Sequence, residues 1–258
     1  MSNQIDIYLK KFNDLFNDYK CIVDDTDYKK FEINKRLLEK LAEVENSSLT
    51  VFDMNKKHYI LLCSKFDKVI GYQLNFDYKV GPEFFYSLMH PDDFPFVIDT
   101  IIKTFNFLNQ LPAEEKLDYK LIVDFRLINT IGSYLRFIQQ VVVLELDKQN
   151  NIWLILKIID LISDKATDEP PQRKLINLKT SKLHLFKDDL DTTSDQLLTK
   201  RELEILGLIS QGLDSKNISD RLFISVNTVN NHRQNILSKT KSKNISQALI
   251  YARRIGII

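Results

Sequence analysis

The sequence predicts an α+β chain. N-terminal helices and a five-stranded antiparallel sheet with helices precede an all-α unit of four helices. Three observations carry that prediction. Apolar residues recur every three or four positions before residue 46 and again after residue 198, the period of an amphipathic helix. Between them, residues 47–163 hold two short and three long runs rich in Val, Ile, Phe and Tyr, broken by polar turns. Charge also divides the chain. Residues 198–258 carry ten Lys and Arg against four acids, a net +6 inside a chain of only +1, so the remainder is −5. A basic tail on an acidic body suggests that the tail meets a polyanion.

The elements follow in order. Ile5, Leu9, Phe12, Phe16 and Tyr19 form one helical stripe, and Phe31, Leu37, Leu38 and Leu41 form a second over about 27–44. This segment, 1–46, either caps the next domain or pairs with a second chain. Residues 49–53 and 58–63 read as strands split by the polar turn Met54-Asn-Lys-Lys57. Short helical pieces are expected over 65–89. Asp92 or Asp93 opens a longer helix reaching about Asn109. Strands 117–129, 133–146 and 152–163 make an antiparallel meander, and the sheet of 47–163 is expected to carry its helices on one face. Residues 164–197, with Pro170-Pro171, read as a linker, although 175–178 and 183–186 alternate weakly enough for a hairpin on either domain.

Several function classes find little support. The four histidines, His58, His90, His184 and His232, fall in different segments, and there is no Gly-rich phosphate loop, metal cluster or nucleophile motif, so an enzyme is not expected. Cys21 and Cys63 have no metal or disulfide spacing, which suits a reducing compartment. No basic-then-apolar leader opens the chain and no run is long enough to span a bilayer. A cytoplasmic protein without a membrane partner is expected.

The C-terminal unit, 198–258, is richest in signals. Thr199-Lys-Arg-Glu202 is a capping box, and Leu203, Leu206 and Ile209 lie on the buried face of the helix it opens. Gly212 suits the left-handed residue after that helix. Asp214 or Ser215 caps a second helix with Ile218 and Leu222. Ser225 caps a third over 226–239, and a fourth starts near Asn244 with Gln247 at its capping-box position. Rotation of the third helix by 100° per residue aligns Val229, Ile236 and Thr240 as its buried line. The opposite side holds Asn227, Asn230, Asn231, Gln234, Asn235 and Ser238, without an acid. A solvated helix face is ordinarily mixed Glu and Lys, which are better helix formers than Asn. Amides pair with base edges, above all adenine, and acids would be repelled by phosphate. Arg233 sits at the boundary, where its stem packs and its head reaches out. The geometry suits a helix that reads double-stranded DNA in the major groove.

The residues Leu198-Thr-Lys-Arg-Glu-Leu-Glu-Ile-Leu206, Ile209-Ser-Gln-Gly-Leu213, Ser215-Lys-Asn-Ile-Ser-Asp-Arg-Leu-Phe-Ile-Ser225 and Asn227-Thr-Val-Asn-Asn-His-Arg-Gln-Asn-Ile-Leu237 resemble the LuxR-type helix-turn-helix family. The resemblance implies that Asn230, Asn231 and Gln234 face bases, with Asn227 and Arg233 bounding them. It places Lys216, Thr228, Lys239 and Lys241 on phosphates and gives the fourth helix as a frequent dimer contact. Members often carry Lys or Arg among the base-facing positions, so sequence preference does not transfer. His232 matches a usual His of the family, and its angle beside the core favours a packed, hydrogen-bonded imidazole over a metal ligand or base reader.

The body resembles a PAS domain through Met89-His-Pro-Asp-Asp-Phe94 and Asp124-Phe-Arg-Leu-Ile-Asn-Thr-Ile-Gly-Ser-Tyr-Leu-Arg-Phe137, although Ile131 stands where that family has Asp. The resemblance implies a sensory or dimerising domain. The flavin-bonding Asn-Cys-Arg motif is absent. Cys63 reads as a core residue, His90 as structural, and Phe84, Phe85, Phe94, Phe96, Phe105 and Phe107 as core rather than cavity lining. No phosphoacceptor receiver pattern is present. The expected protein is a homodimeric transcription regulator without a resident cofactor, and a small-molecule ligand of the PAS-like domain is left open.

Overall fold

The computed structural model describes residues 2–44, 47–63, 70–72, 82–163, 169–184, 186, 198–240 and 242–254. It divides into two compact units, Met1–Lys179 and Thr180–Ile258.

The first unit begins with helices α1 (Ser2–Asn17) and α2 (Asp25–Val44). Strands β1 (Ser48–Asp53) and β2 (His58–Cys63) pair antiparallel across the turn that contains Lys57 at φ 61°. Helices α3 (Pro82–Ser87), α4 (Asp93–Asn109) and α5 (Ala113–Lys116) follow, then β3 (Tyr119–Ile128), β4 (Tyr134–Leu146) and β5 (Ile152–Ser163). The expected strands and the long helix are present within two residues of their bounds. The helical pieces expected over 65–81 fall largely outside the described residues.

The sheet has seven strands, not five. Its order is β2-β1-β5-β4-β3-β6-β7, with β6 at Arg173–Asn177 and β7 at Leu183–His184. Part of the segment expected as linker is therefore strand. β6 pairs antiparallel with β3, with Leu121 opposite Leu175, and so covers backbone groups that would otherwise be an open edge. Its alternation is weak in sequence because adjacent Leu175 and Ile176 are both buried.

The helices within 47–163, α3 and α4, pack on one face of the sheet as expected, and α2 of the N-terminal segment covers the other. Phe12, Phe16, Phe94, Val97, Ile98 and Phe105, from α1 and α4, pack with Phe125, Phe137 and Ile152 on one face. On the other, Phe31 and Ala42 of α2 pack with Val51, Leu61, Trp153 and Leu154. β1 is buried along its whole length for this reason. The predicted stripe of α2 is also corrected. Phe31, Leu38 and Ala42 face the sheet, whereas Leu37 is 73% exposed and Leu41 is 44% exposed.

Asp93, not Asp92, does the anchoring at the start of α4. Its buried carboxylate accepts from Arg126 N–H at 2.8 Å, Nε at 3.0 Å and Nη2 at 2.6 Å, tying α4 to β3. His90 is structural as expected. Its Nδ1 accepts from Asp92 N–H at 3.2 Å and its ring meets Tyr134 at 4.5 Å. Of the six phenylalanines expected in the core, Phe94 and Phe105 are fully buried and the other four pack partly buried against the same cluster. Cys63 is half-buried beside the α2 cluster, and burial pushes its thiol pKa up.

The second unit holds helices α6 (Lys200–Ser210), α7 (Ser215–Leu222), α8 (Val226–Thr240) and α9 (Ile245–Arg254). Its core is Ile205, Leu206, Ile218, Val229, Ile236, Ala248 and Ala252, each at 0% exposure. The buried line predicted for α8 is observed. On α6 the buried set is Ile205, Leu206 and Leu208, while Leu203 and Ile209 are half-buried.

Candidate nucleic-acid interface

The start of α6 forms as its sequence dictates. Thr199 Oγ1 accepts from Glu202 N–H at 3.2 Å, and Glu202 Oε2 accepts from Thr199 N–H at 2.7 Å. Each bond satisfies a donor left over at the helix end. Gly212, at φ 87°, turns the chain after α6 in the left-handed region that favours glycine. Asp214, rather than Ser215, caps α7 through Asn217 N–H at 2.7 Å. Three residues, Phe223, Ile224 and Ser225, separate α7 from α8. Ser225 Oγ accepts from Thr228 N–H at 3.1 Å and so caps α8. At α9, Asn244 accepts from Gln247 N–H at 2.9 Å, but Gln247 reaches Lys243 N–H rather than Asn244 itself.

Burial of Val229, Ile236 and Thr240 turns the other side of α8 outward. Asn227, Asn230, Asn231, Gln234, Asn235 and Ser238 are exposed, as is Lys216 on α7. Among the described residues, Asn231 and Gln234 make no hydrogen bond, so their amides are free to pair with a ligand. Asn230 is different, because its Oδ1 accepts from Ser215 Oγ at 2.9 Å. That bond leaves Asn230 its two N–H donors and ties the amide to the start of α7. Sequence reasoning missed Ser215 in this role. The signal was only its place beside a cap.

The cations divide. Lys216 is exposed, Thr228 and Arg233 are half-buried, and Lys241 lies outside the described residues. Lys239, expected on phosphate, has its ammonium 2.7 Å from Glu202 Oε2. Burial alone would raise the pKa of the Glu202 carboxyl. The Lys239 ammonium and the bonds with Thr199 outweigh burial and hold it below the usual carboxylate value. One carboxylate therefore closes the cap of α6 and clamps it to α8. His232 packs half-buried as expected, but the expected hydrogen bond is missing at Nδ1, which is buried without a partner.

Helices α7 and α8, joined by a three-residue turn and backed by α6, define a helix-turn-helix domain. Residues 196–252 match the family model "Bacterial regulatory proteins, luxR family", and this part of the chain is a luxR-family domain. The transcriptional regulatory protein LiaR of Bacillus subtilis (strain 168) is 53% identical over 61 residues, 24% of this chain and 29% of LiaR. The oxygen regulatory protein NreC of Staphylococcus haemolyticus (strain JCSC1435) is 41% identical over 70 residues, 27% of this chain and 32% of NreC. The chain thus spans about a third or less of these relatives. Among solved structures, the transcription factor GerE is 40% identical over 24% of this chain and 92% of that one, with a TM-score of 0.24. The phage VqmA–DPO complex is 14% identical over 89% of this chain and 91% of that one, with a TM-score of 0.35. No described helix is long and apolar enough to cross a membrane.

Proposed function

We propose that this chain is a sequence-specific, DNA-binding transcriptional regulator of the LuxR type, with α8 in the major groove. A PAS-like first unit serves it as a sensory or dimerisation domain. The observation that carries this reading is the exposed, acid-free amide face of α8 on a luxR-family domain. Asn231 and Gln234 read bases with unengaged amides. Asn230 reads with the donors that Ser215 leaves it, and Asn227 and Arg233 bound the patch. Lys216, Thr228, Lys239 and Lys241 grip phosphates. The protein acts in the cytoplasm and is not an enzyme.

The regulator works as a homodimer, which sets two reading helices one DNA turn apart. Its pairing surface is the outer stripe of α2, where Ile33 is 75% exposed and Val44 83%, beside Leu37 and Leu41. The second occupant is another copy. An antiparallel pairing about Leu37 sets Ile33 of each copy opposite Leu41 of the other, so apolar meets apolar along the middle of the stripe.

Selection of binding sequences from a random duplex pool, followed by gel shifts on the selected site, tests the reading. Asn231→Ala is expected to cost roughly 1–3 kcal/mol on the selected site and to relax preference at one base pair. A protein that enriches no sequence, or an Asn231→Ala variant with unchanged affinity, overturns the assignment.

A further inference from the structure

The inner face of the sheet, against α1 and α4, carries a polar patch at its middle. Thr50 of β1 stands directly opposite Lys157 of β5, and Lys157 stands opposite Val141 of β4. Residues opposite each other across strands share a face, as do residues two apart along one strand, so Gln139 belongs to the same patch. Thr50 is 1% exposed and Gln139 8%. Above this patch the sheet and helices leave two adjoining cavities. The larger has an empty volume of about 730 Å³ and the smaller about 480 Å³, both counting their mouths. Gln139 and Lys157 line both. A hollow with few polar groups in an apolar wall is the usual form of a small-molecule site.

The polar groups of this patch are under-used. Thr50 Oγ1 is buried without a hydrogen-bond partner. Thr104, which lines the larger cavity from α4 and is 6% exposed, also has its Oγ1 buried and unpartnered. Gln139 makes no hydrogen bond among the described residues. Lys157 is half-buried, donates among the described residues only to Tyr59 Oη at 3.2 Å, and lies 5.5 Å and 5.2 Å from the ring centres of Phe52 and Tyr59. Among the described residues no carboxylate pairs with it. Burying an unpaired cation and three unsatisfied polar side chains is costly unless something else meets them. Filling the patch with Leu or Val would avoid that cost.

We propose that the first unit binds an amphiphilic monocarboxylate, its apolar tail in the larger cavity and its carboxylate between Lys157 and Gln139. The Lys157 ammonium has two donors left after Tyr59, and the Gln139 amide has two more. Together they match the lone pairs of one carboxylate, and the bonds to Lys157 are charge-assisted. Phe12, Phe16, Phe105 and Leu108 supply the wall for the tail. The cation decides the class. A neutral alcohol would leave Lys157 unneutralised, and an amine would be repelled by it.

This inference names a ligand for the sensory role assigned above and relies on that role only for any effect on DNA. Its test is calorimetric titration of the full chain with octanoate, octanol and octylamine. Octanoate is expected to bind at least tenfold tighter than octanol, with octylamine weakest. Lys157→Met is expected to reduce octanoate affinity at least tenfold and leave octanol unchanged, while Lys157→Arg retains octanoate. Equal or tighter octanol binding, absence of octanoate binding, or a Lys157→Met variant that binds octanoate like the parent overturns the proposal. The three-ligand ranking uses the unsubstituted protein, so it decides the matter even where Lys157→Met fails to fold. The titration contains no DNA. Octanoate binding without DNA binding would sink the regulator reading alone.

Discussion

Glu202→Gln isolates the charge that joins α6 to α8. In the parent, Glu202 Oε2 accepts from Thr199 N–H and from Lys239 Nζ, both at 2.7 Å, and the side chain is 3% exposed. Glutamine keeps an acceptor for Thr199 but gives Lys239 a neutral partner. A hydrogen bond to a charged group contributes about 1.5–3 kcal/mol, against about 1 kcal/mol for a neutral one. The Lys239 side chain is 27% exposed, so solvent screens part of that difference. The expected loss is about 1 kcal/mol near pH 7. The pH dependence has a definite sign. The folded-state pKa of Glu202 lies below its ordinary value, so its stabilisation is complete above the unfolded value of about 4.3 and fades as pH falls through the folded value. Parent and variant are therefore expected to differ at pH 7 and to converge once the pH has fallen through the lowered folded-state value. Hydrogen exchange of the full chain, read by mass spectrometry on peptides of α6 and α8, reports this unit separately from the first. Equal protection at pH 7, or a gap that persists undiminished at acid pH, would refute the reasoning.

Two further outcomes follow from the same geometry. Lys239→Met is expected to lower protection of α6 and α8 and also to flatten the dependence of log affinity on log salt by about one contact, or roughly 0.9. Glu202→Gln should leave that slope unchanged, and a Lys239→Met variant with the parental slope removes Lys239 from the phosphate contacts. Leu37→Glu places a charge on the exposed stripe of α2 without touching the core, so it should convert a dimer to a monomer by light scattering while the melting temperature of the monomer is preserved. A Leu37→Glu variant that remains dimeric excludes that stripe as the pairing surface.

The second unit was the more legible in sequence because its signals are local. A capping box, the left-handed Gly212 and the buried line of α8 each depend on residues within one or two turns. The first unit was legible as strands and helices but not as layers. A period of 3.6 says that α2 has an apolar side, and α2 has two. Phe31 and Ala42 meet the sheet, while Ile33, Leu37, Leu41 and Val44 meet solvent. Nothing in the periodicity ranks one above the other. β6 was legible only as one arm of a weakly alternating hairpin within the linker, since a short strand buried on both faces does not alternate.

The sequence alone determined that an amide-rich helix would stand on the outside of a basic four-helix unit, because the positions of Val229, Ile236 and Thr240 fix which side of α8 is buried. Tertiary structure alone decided which of those side chains remain unengaged. Ser215 takes the oxygen of Asn230, and Glu202 takes one donor of Lys239, across separations of 15 and 37 residues. It alone also gathered Thr50, Gln139 and Lys157, from three different strands, into one patch. Helix capping and periodicity act over a few residues and can be read along a chain. Pairings between separate helices and strands are set by packing of the whole unit, and no local pattern encodes them.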